Sequence, residues 1–215
     1  MSVEAVLTLV FSIITAITAT VAIAISIVQV RKSNKQSLFE RRLRTFLTIK
    51  WMQSLCNEHS TIANKYVEDA KKDPLLGIDL LFIFMTNCSF LEEIGPAITD
   101  TVDNKELHRK YLFKIEELKN MCEEVRLIYP ENIGFELGDF VFYYEEMLAS
   151  IFKYKVMIDS IRQECRTNNQ PLRTNDESEN MLRKEVAKNI SGTFELSKRL
   201  VTNGTFEKAK KTIKL

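Results

Sequence analysis

From Val6 to Val30 the chain is apolar at almost every position: "VLTLVFSIITAITATVAIAISIVQV" is broken only by Thr, Ser and one Gln, and within Val3 to Val30 Glu4 is the sole ionisable side chain. A helix at the surface of a globular domain shows a polar face every three or four residues, and this one has none. Because a helix rises about 1.5 Å per residue, about 20 apolar residues cross a hydrocarbon core about 30 Å thick. The pattern predicts a transmembrane anchor over residues 1–30. A cleavable secretory signal fits less well: "MSVE" lacks Lys and Arg, and the apolar run exceeds the usual length of about 7–15 residues, although "AIA" at 22–24 mimics a cleavage site.

Past residue 30 the pattern changes to helical amphipathicity. In "SLFERRLRTFLTIKWMQSL" the apolar side chains Leu38, Phe39, Leu43, Phe46, Leu47 and Leu55 recur near helical spacing with arginines between them. This juxtamembrane helix, within 31–74, either lies on the lipid surface with Trp51 at the interface or packs its apolar face into a helical domain. Pro74 ends the segment. Residues 75–96, "LLGIDLLFIFMTNCSFLEEIGP", are nearly long and apolar enough to cross a bilayer, but they carry Asp79 and Asn87. A central Asp costs about 3 kcal/mol on insertion scales, so either a second membrane segment turns these two polar residues toward a lumen or partner, or the segment is a buried core helix.

Residues 97–166 read as a helical hairpin. Leu107, Tyr111, Ile115, Leu118, Cys122, Val125 and Tyr129 form one apolar stripe, with Asp103 as the expected N-cap three residues before Glu106. Pro130 and "ENIGFELGD" are expected to make the turn, after which Phe140, Tyr144, Leu148, Ile151, Phe152, Met157, Ile158 and Ile161 resume the helical pattern. Residues 167–180 are polar and aperiodic, hence a loop; residues 181–215 are expected to hold a last helix to about Val201 and a basic, fraying tail. With six Gly and four Pro in 215 residues, and no strand periodicity, the fold class is all-α.

Charge adds an orientation. The chain has a formal net charge of +1, yet residues 31–74 hold ten Lys/Arg against five Asp/Glu, while residues 99–215 hold twenty of each. Arg31, Lys32, Lys35, Arg41, Arg42 and Arg44 come after the anchor, so the positive-inside rule puts Met1 outside and residues 31–74 in the cytoplasm. The side taken by 99–215 depends on whether 75–96 crosses. The same six basic residues form a cluster suited to anionic headgroups; beside a bilayer, lipid has a stronger claim on them than nucleic acid, and no direct nucleic-acid binding is expected.

Candidate chemistry is sparse. Phosphate-cradling glycine loops, nucleophile elbows and H-E-x-x-H are missing, and Cys56, Cys88, Cys122 and Cys165 have no C-x-x-C spacing, so they read as reduced, buried thiols. His59 and His108 lie beside charged residues with no nearby nucleophile, and the pairs Glu116/Glu117, Glu123/Glu124 and Glu145/Glu146 lack the Glu-x-x-His partners of a di-metal bundle. They read as solvated helix faces. No catalytic residue, metal or cofactor is expected, and the chain is read as not an enzyme.

Within the anchor, Thr8, Ser12, Ala16, Thr20 and Ala24 fall four apart, a small-residue stripe of the kind that lets membrane helices associate. Membrane lipids and further copies of the chain are therefore the expected partners. Two functions are compatible with these features: an effector whose anchor oligomerises, with 75–96 joining it to breach the bilayer, or a single-pass tethered scaffold whose helical domain binds another protein. The layout of "VLTLVFSIITAITATVAIAISIVQV" followed by "LLGIDLLFIFMTNCSFL" resembles small membrane effectors of bacterial antiphage systems, in particular the two-transmembrane effector encoded with some retrons. The resemblance implies an inner-membrane toxin restrained by a reverse transcriptase and its noncoding RNA–DNA hybrid, and released on infection so that the infected cell dies first. It carries over no site residues, and the expected function is that of an antiviral, abortive-infection effector.

Overall fold

A computed structural model describes residues 3–71, 74–99, 104–167 and 177–213. The described elements are all helices: α1 (Val3–Glu58), α2 (Ser60–Asp69), α3 (Ile78–Met85), a 3-10 helix (Glu92–Ile98), α4 (Lys105–Ile128), α5 (Glu131–Thr167), α6 (Glu177–Thr202) and α7 (Thr205–Thr212). The all-α expectation holds. The chain divides into two compact units, residues 1–41 with 214–215, and residues 42–213.

In the first unit, the described side chains of residues 3–41 are exposed, apart from a half-buried Phe39. The second unit is a helical bundle centred on α5, against which α3, α4, α6 and α7 pack. Its share of α1 contributes Phe46, Ile49, Met52, Leu55 and Cys56 to the core. The amphipathic helix after the anchor thus packs into the domain, but on a face rotated from the expected one. Leu43, Leu47 and Trp51 stay substantially exposed, while Ile49 and Met52 are completely buried.

The stripe expected on α4 is buried from Tyr111 to Val125, and Lys114, Met121 and Ile128 extend it. Its N-cap is Asn104, whose Oδ1 accepts from the Leu107 N–H at 3.1 Å; Asp103 lies outside the described residues. The turn after α4 is much shorter than expected, since α5 already begins at Glu131 and takes in all of "ENIGFELGD". Gly134 and Gly138 are not turn residues. A Cβ at Gly134 would lie 3.1 Å from the Arg126 carbonyl oxygen, and one at Gly138 would lie 2.8 Å from Arg126 Cγ. The two glycines let α4 and α5 approach closely, and in that contact the Cys122 thiol donates to the Gly138 carbonyl at 3.3 Å.

Residues 75–96 form no helix of spanning length. α3 has eight residues, turns out at Thr86, and is followed by the 3-10 helix, whereas the single helix among the described residues long and apolar enough to cross a membrane is α1. The apolarity of this segment serves the core instead: Ile78, Leu81, Phe82, Met85, Leu91 and Ile94 are all at most 2 % exposed. Tyr144 on α5 holds it by donating its hydroxyl to the Met85 carbonyl.

The C-terminal segment also departs from expectation. α6 stops at Asn203-Gly204, where Gly204 takes a left-handed φ of 63°, and the chain then forms α7 in place of a fraying tail. Thr205 and Ala209 are completely buried, and the Phe206 ring meets Phe46 edge-on at 5.9 Å. Most of the polar 167–180 segment lies outside the described residues; its last positions, from Glu177, already belong to α6.

Candidate functional site

The first candidate is the apolar half of α1. Fourteen large hydrophobic side chains between Val3 and Val30 are 45–77 % exposed. The hydroxyls along this stretch bond back along their own helix: Thr8 to the Glu4 carbonyl at 2.9 Å, Ser12 to Thr8 at 2.8 Å, and Thr20 to Ala16 at 2.8 Å. Thr15 and Thr18 do the same toward Phe11 and Ile14. A hydroxyl satisfied in this way brings no unpaired donor into hydrocarbon, so the helix suits lipid without needing a partner's acceptors.

The geometry of the stripe limits how it can pair. Residues four apart advance about 40° around a helix of 3.6 residues per turn, so Thr8 to Ala24 wind about 160° around the cylinder. Thr8, Ser12, Ala16, Thr20 and Ala24 are therefore an oblique ridge, not a straight face. Ridges of this spacing mesh in crossings of about −40°, as between small-residue membrane helices. Such a crossing engages two or three successive members of the ridge and leaves the others to lipid.

The six basic residues do not act as one cluster. Arg31, Lys32 and Lys35 are exposed in the first unit, with no hydrogen bond or ion pair among the described residues. Arg42 is half-buried in the second unit, and its role there is structural: Nε donates to the Ile128 carbonyl at 2.6 Å and Nη1 to the Thr212 carbonyl at 2.9 Å. Those carbonyls belong to the last residues of α4 and α7, the negative ends of two helix dipoles. The Arg42 guanidinium also lies 5.8 Å from the Tyr129 ring centroid, and the Tyr129 hydroxyl donates to the Arg42 carbonyl at 2.6 Å. Arg44 stays exposed and sits 3.6 Å from Glu124. The expectation of six lipid-facing cations is thus corrected at Arg42, which is spent on closing the bundle, while Arg31, Lys32, Lys35 and Arg44 stay exposed. Arg41 is exposed and engaged in contacts of its own.

Asp79 and Asn87 do not sit in a helix of spanning length. Asp79 is half-buried in the first turn of α3, and Asn87 is exposed just beyond its end. Of the other sequence candidates, His59 stacks on Phe84 at 4.7 Å and His108 meets Phe152 edge-on at 5.5 Å. Both imidazoles are half-buried against aromatic rings, where a fully solvated histidine was expected. Cys56, Cys88 and Cys122 carry free thiols, and burial pushes the Cys56 thiol far above its usual range.

One residue breaks the solvated-face reading of the carboxylate pairs. Glu145 is 1 % exposed on α5, with Lys119 Nζ at 3.7 Å and its Oε2 unpartnered. Desolvation raises its pKa, and Lys119 opposes the shift. A signal was present in the sequence: Glu145 comes directly after Tyr144 and precedes Leu148 on the inward face of α5, where a carboxylate breaks the apolar stripe. No family model matches the chain, and no curated protein or solved structure matches it either.

Proposed function

We propose that the chain is a single-pass membrane protein whose helical domain, residues 42–213, is held at the cytoplasmic face of a bacterial membrane to bind a partner, without catalysis. The carrying observation is the exposure of the fourteen hydrophobics between Val3 and Val30. Withdrawing about half of each such side chain from water is worth about 1 kcal/mol, hence on the order of 10–20 kcal/mol for the segment. An isolated helix in water forgoes all of that, and a bilayer supplies it. Arg31, Lys32 and Lys35, open at the end of the apolar run, favour the cytoplasmic side for the domain C-terminal to them.

The partner-binding role is supported by the surface of the bundle. Leu127, Phe135 and Phe142 on α4 and α5 are 84 %, 51 % and 42 % exposed, large apolar side chains left for a partner to cover. The groups that catalysis would recruit are engaged in the fold, the imidazoles with aromatic rings and Glu145 with Lys119. The resemblance to retron effectors rested on two apolar membrane segments, and only α1 has spanning length among the described residues. The tethered-domain reading is therefore the one proposed.

Reporter fusions to the full chain at residues 60, 130 and 215, expressed in bacteria alongside a dye-entry assay, test it. All three sites cytoplasmic with intact membranes is the expected result. Residue 60 inside with 130 and 215 outside, or dye entry on induction, would overturn it in favour of a membrane-breaching antiphage effector.

A further inference from the structure

A groove of about 800 Å³ lies between α2 and α6, within the second unit, and its lining is cationic. Lys71 comes from the end of α2, and Arg183, Lys184 and Lys188 come from α6, against one carboxylate, Glu177. Lys184 and Lys188 are one helical turn apart and exposed, a like-charge pair on the groove wall. Val67 and Ala187 add apolar wall, and Ser191 a hydroxyl.

Arg183 is the telling residue, because it is buried to 6 % exposure and its donors are not used up. Its Nη2 donates to Asn180 Oδ1. The neighbouring carboxylate balances its charge without completing its hydrogen bonds: Glu179 Oε1 pairs with Arg183 Nε at 3.8 Å, beyond hydrogen-bond range, and accepts the Tyr154 hydroxyl at 2.8 Å, while Glu179 Oε2 has no hydrogen-bond partner among the described residues. Among the described residues, Arg183 Nε and Nη1 have no hydrogen-bond acceptor. A buried guanidinium with unmet N–H groups is a costly arrangement for a fold to keep, and it is relieved by an anion with several acceptor oxygens.

We propose that the α2–α6 groove binds a phosphate-bearing small molecule, with Arg183 as the forked donor and Lys71, Lys184 and Lys188 balancing its charge. Phosphate suits the site better than a single carboxylate, since its oxygens can serve the arginine fork and the surrounding ammonium groups together. The volume lies within the range of about 300–1,000 Å³ typical of small-molecule sites. Occupancy ties α2 to α6, which gives the domain a ligand-dependent rigidity separate from its membrane attachment.

The test is titration of the full chain, in micelles of a neutral detergent at low salt, with inorganic pyrophosphate, read by calorimetry and by thermal unfolding. Binding is expected, with the unfolding midpoint raised by about 5 °C at saturation. Arg183→Gln should weaken binding about tenfold or more. Because Arg183 is buried, Lys184→Gln/Lys188→Gln is the safer variant: both positions are exposed, so the unliganded midpoint should hold while affinity falls about tenfold. Lys208→Gln/Lys211→Gln on α7 should leave affinity unchanged. Failure of the parent chain to bind, or unaltered affinity in Lys184→Gln/Lys188→Gln, overturns the proposal. An equal loss in the α7 variant does so too, since it would mean diffuse charge attraction only. Phosphatidylglycerol mixed into the micelles separates the sources of the phosphate: displacement of pyrophosphate assigns the site to a lipid headgroup, and no displacement assigns it to a free metabolite.

Discussion

Arg42 offers the sharpest test of how the basic residues are divided. If it clamps the bundle, its loss should register without any lipid present. Its guanidinium donates to the Ile128 carbonyl at 2.6 Å and the Thr212 carbonyl at 2.9 Å, joining the C-terminal ends of α4 and α7 to α1. A hydrogen bond to a charged group contributes about 1.5–3 kcal/mol, and the lower end applies to a half-buried side chain, so two such bonds amount to about 3 kcal/mol. For a domain of this size, each kcal/mol moves the midpoint by about 2–4 °C, so Arg42→Met should unfold about 6–12 °C lower than the parent chain. Arg42→Lys keeps the charge, but one ammonium cannot reach both carbonyls, and about half the loss should remain. The assay is thermal unfolding of the full chain in neutral detergent, monitored by circular dichroism. Arg31→Gln/Lys32→Gln/Lys35→Gln is the companion variant, and its midpoint should stay within about 1 °C, because those side chains touch nothing in the fold. A midpoint for Arg42→Met within about 1 °C of the parent would refute the clamp and return Arg42 to the lipid-facing group.

Other residues give independent checks. Gly134→Ala should lower the unfolding midpoint even though Ala is the better helix former by about 1 kcal/mol, because the added Cβ meets the Arg126 backbone at 3.1–3.2 Å and a backbone cannot step aside; a raised midpoint would show that α4 and α5 can separate freely. Asn104→Ala removes the N-cap of α4 and should cost about 1 kcal/mol in denaturant unfolding, a cost that Asn104→Asp should avoid. Glu145 has a folded-state pKa raised chiefly by burial, so the folded chain holds this proton more tightly than the unfolded one. Its contribution is fully favourable below the ordinary carboxylate range and is lost as pH rises through the folded value. Glu145→Gln should therefore gain stability relative to the parent as pH increases from 4 to 8, and a difference independent of pH would contradict the assignment.

The long apolar N-terminal helix and the α4 stripe could be read from the sequence because each rests on a single pattern sustained over many residues. Where two physical demands produce the same letters, the reading stayed divided or went astray. The run from Leu75 to Pro96 is apolar because Ile78, Leu81, Phe82, Met85, Leu91 and Ile94 all enter the core, and hydropathy does not separate that from a lipid-facing segment. The break at Thr86 and Asn87 is the discriminating feature: a spanning helix would have to carry it through hydrocarbon. Gly134 and Gly138 read as turn residues because their use in helix contact depends on Arg126, across the hairpin. Arg42 and Arg44 were equivalent letters in a basic run, and only the positions of Ile128, Thr212 and Glu124 separate their roles.

A buried charge within an amphipathic pattern was the other missed signal, and the two examples have different consequences. Glu145 and Arg183 both sit on inward faces, at 1 % and 6 % exposure, and both keep unpartnered polar atoms. Glu145 can relieve its cost by binding a proton, which is why its pKa rises and why it reports on pH. Arg183 has no such route, since a guanidinium stays charged across the accessible pH range. Its cost can be met only by an acceptor, and Glu179, already engaged by Tyr154, stops short of hydrogen-bond distance. The same arithmetic of burial therefore makes one residue a proton site and leaves the other waiting for an anion, beside the one groove wall where Lys184 and Lys188 repel each other until an anion arrives.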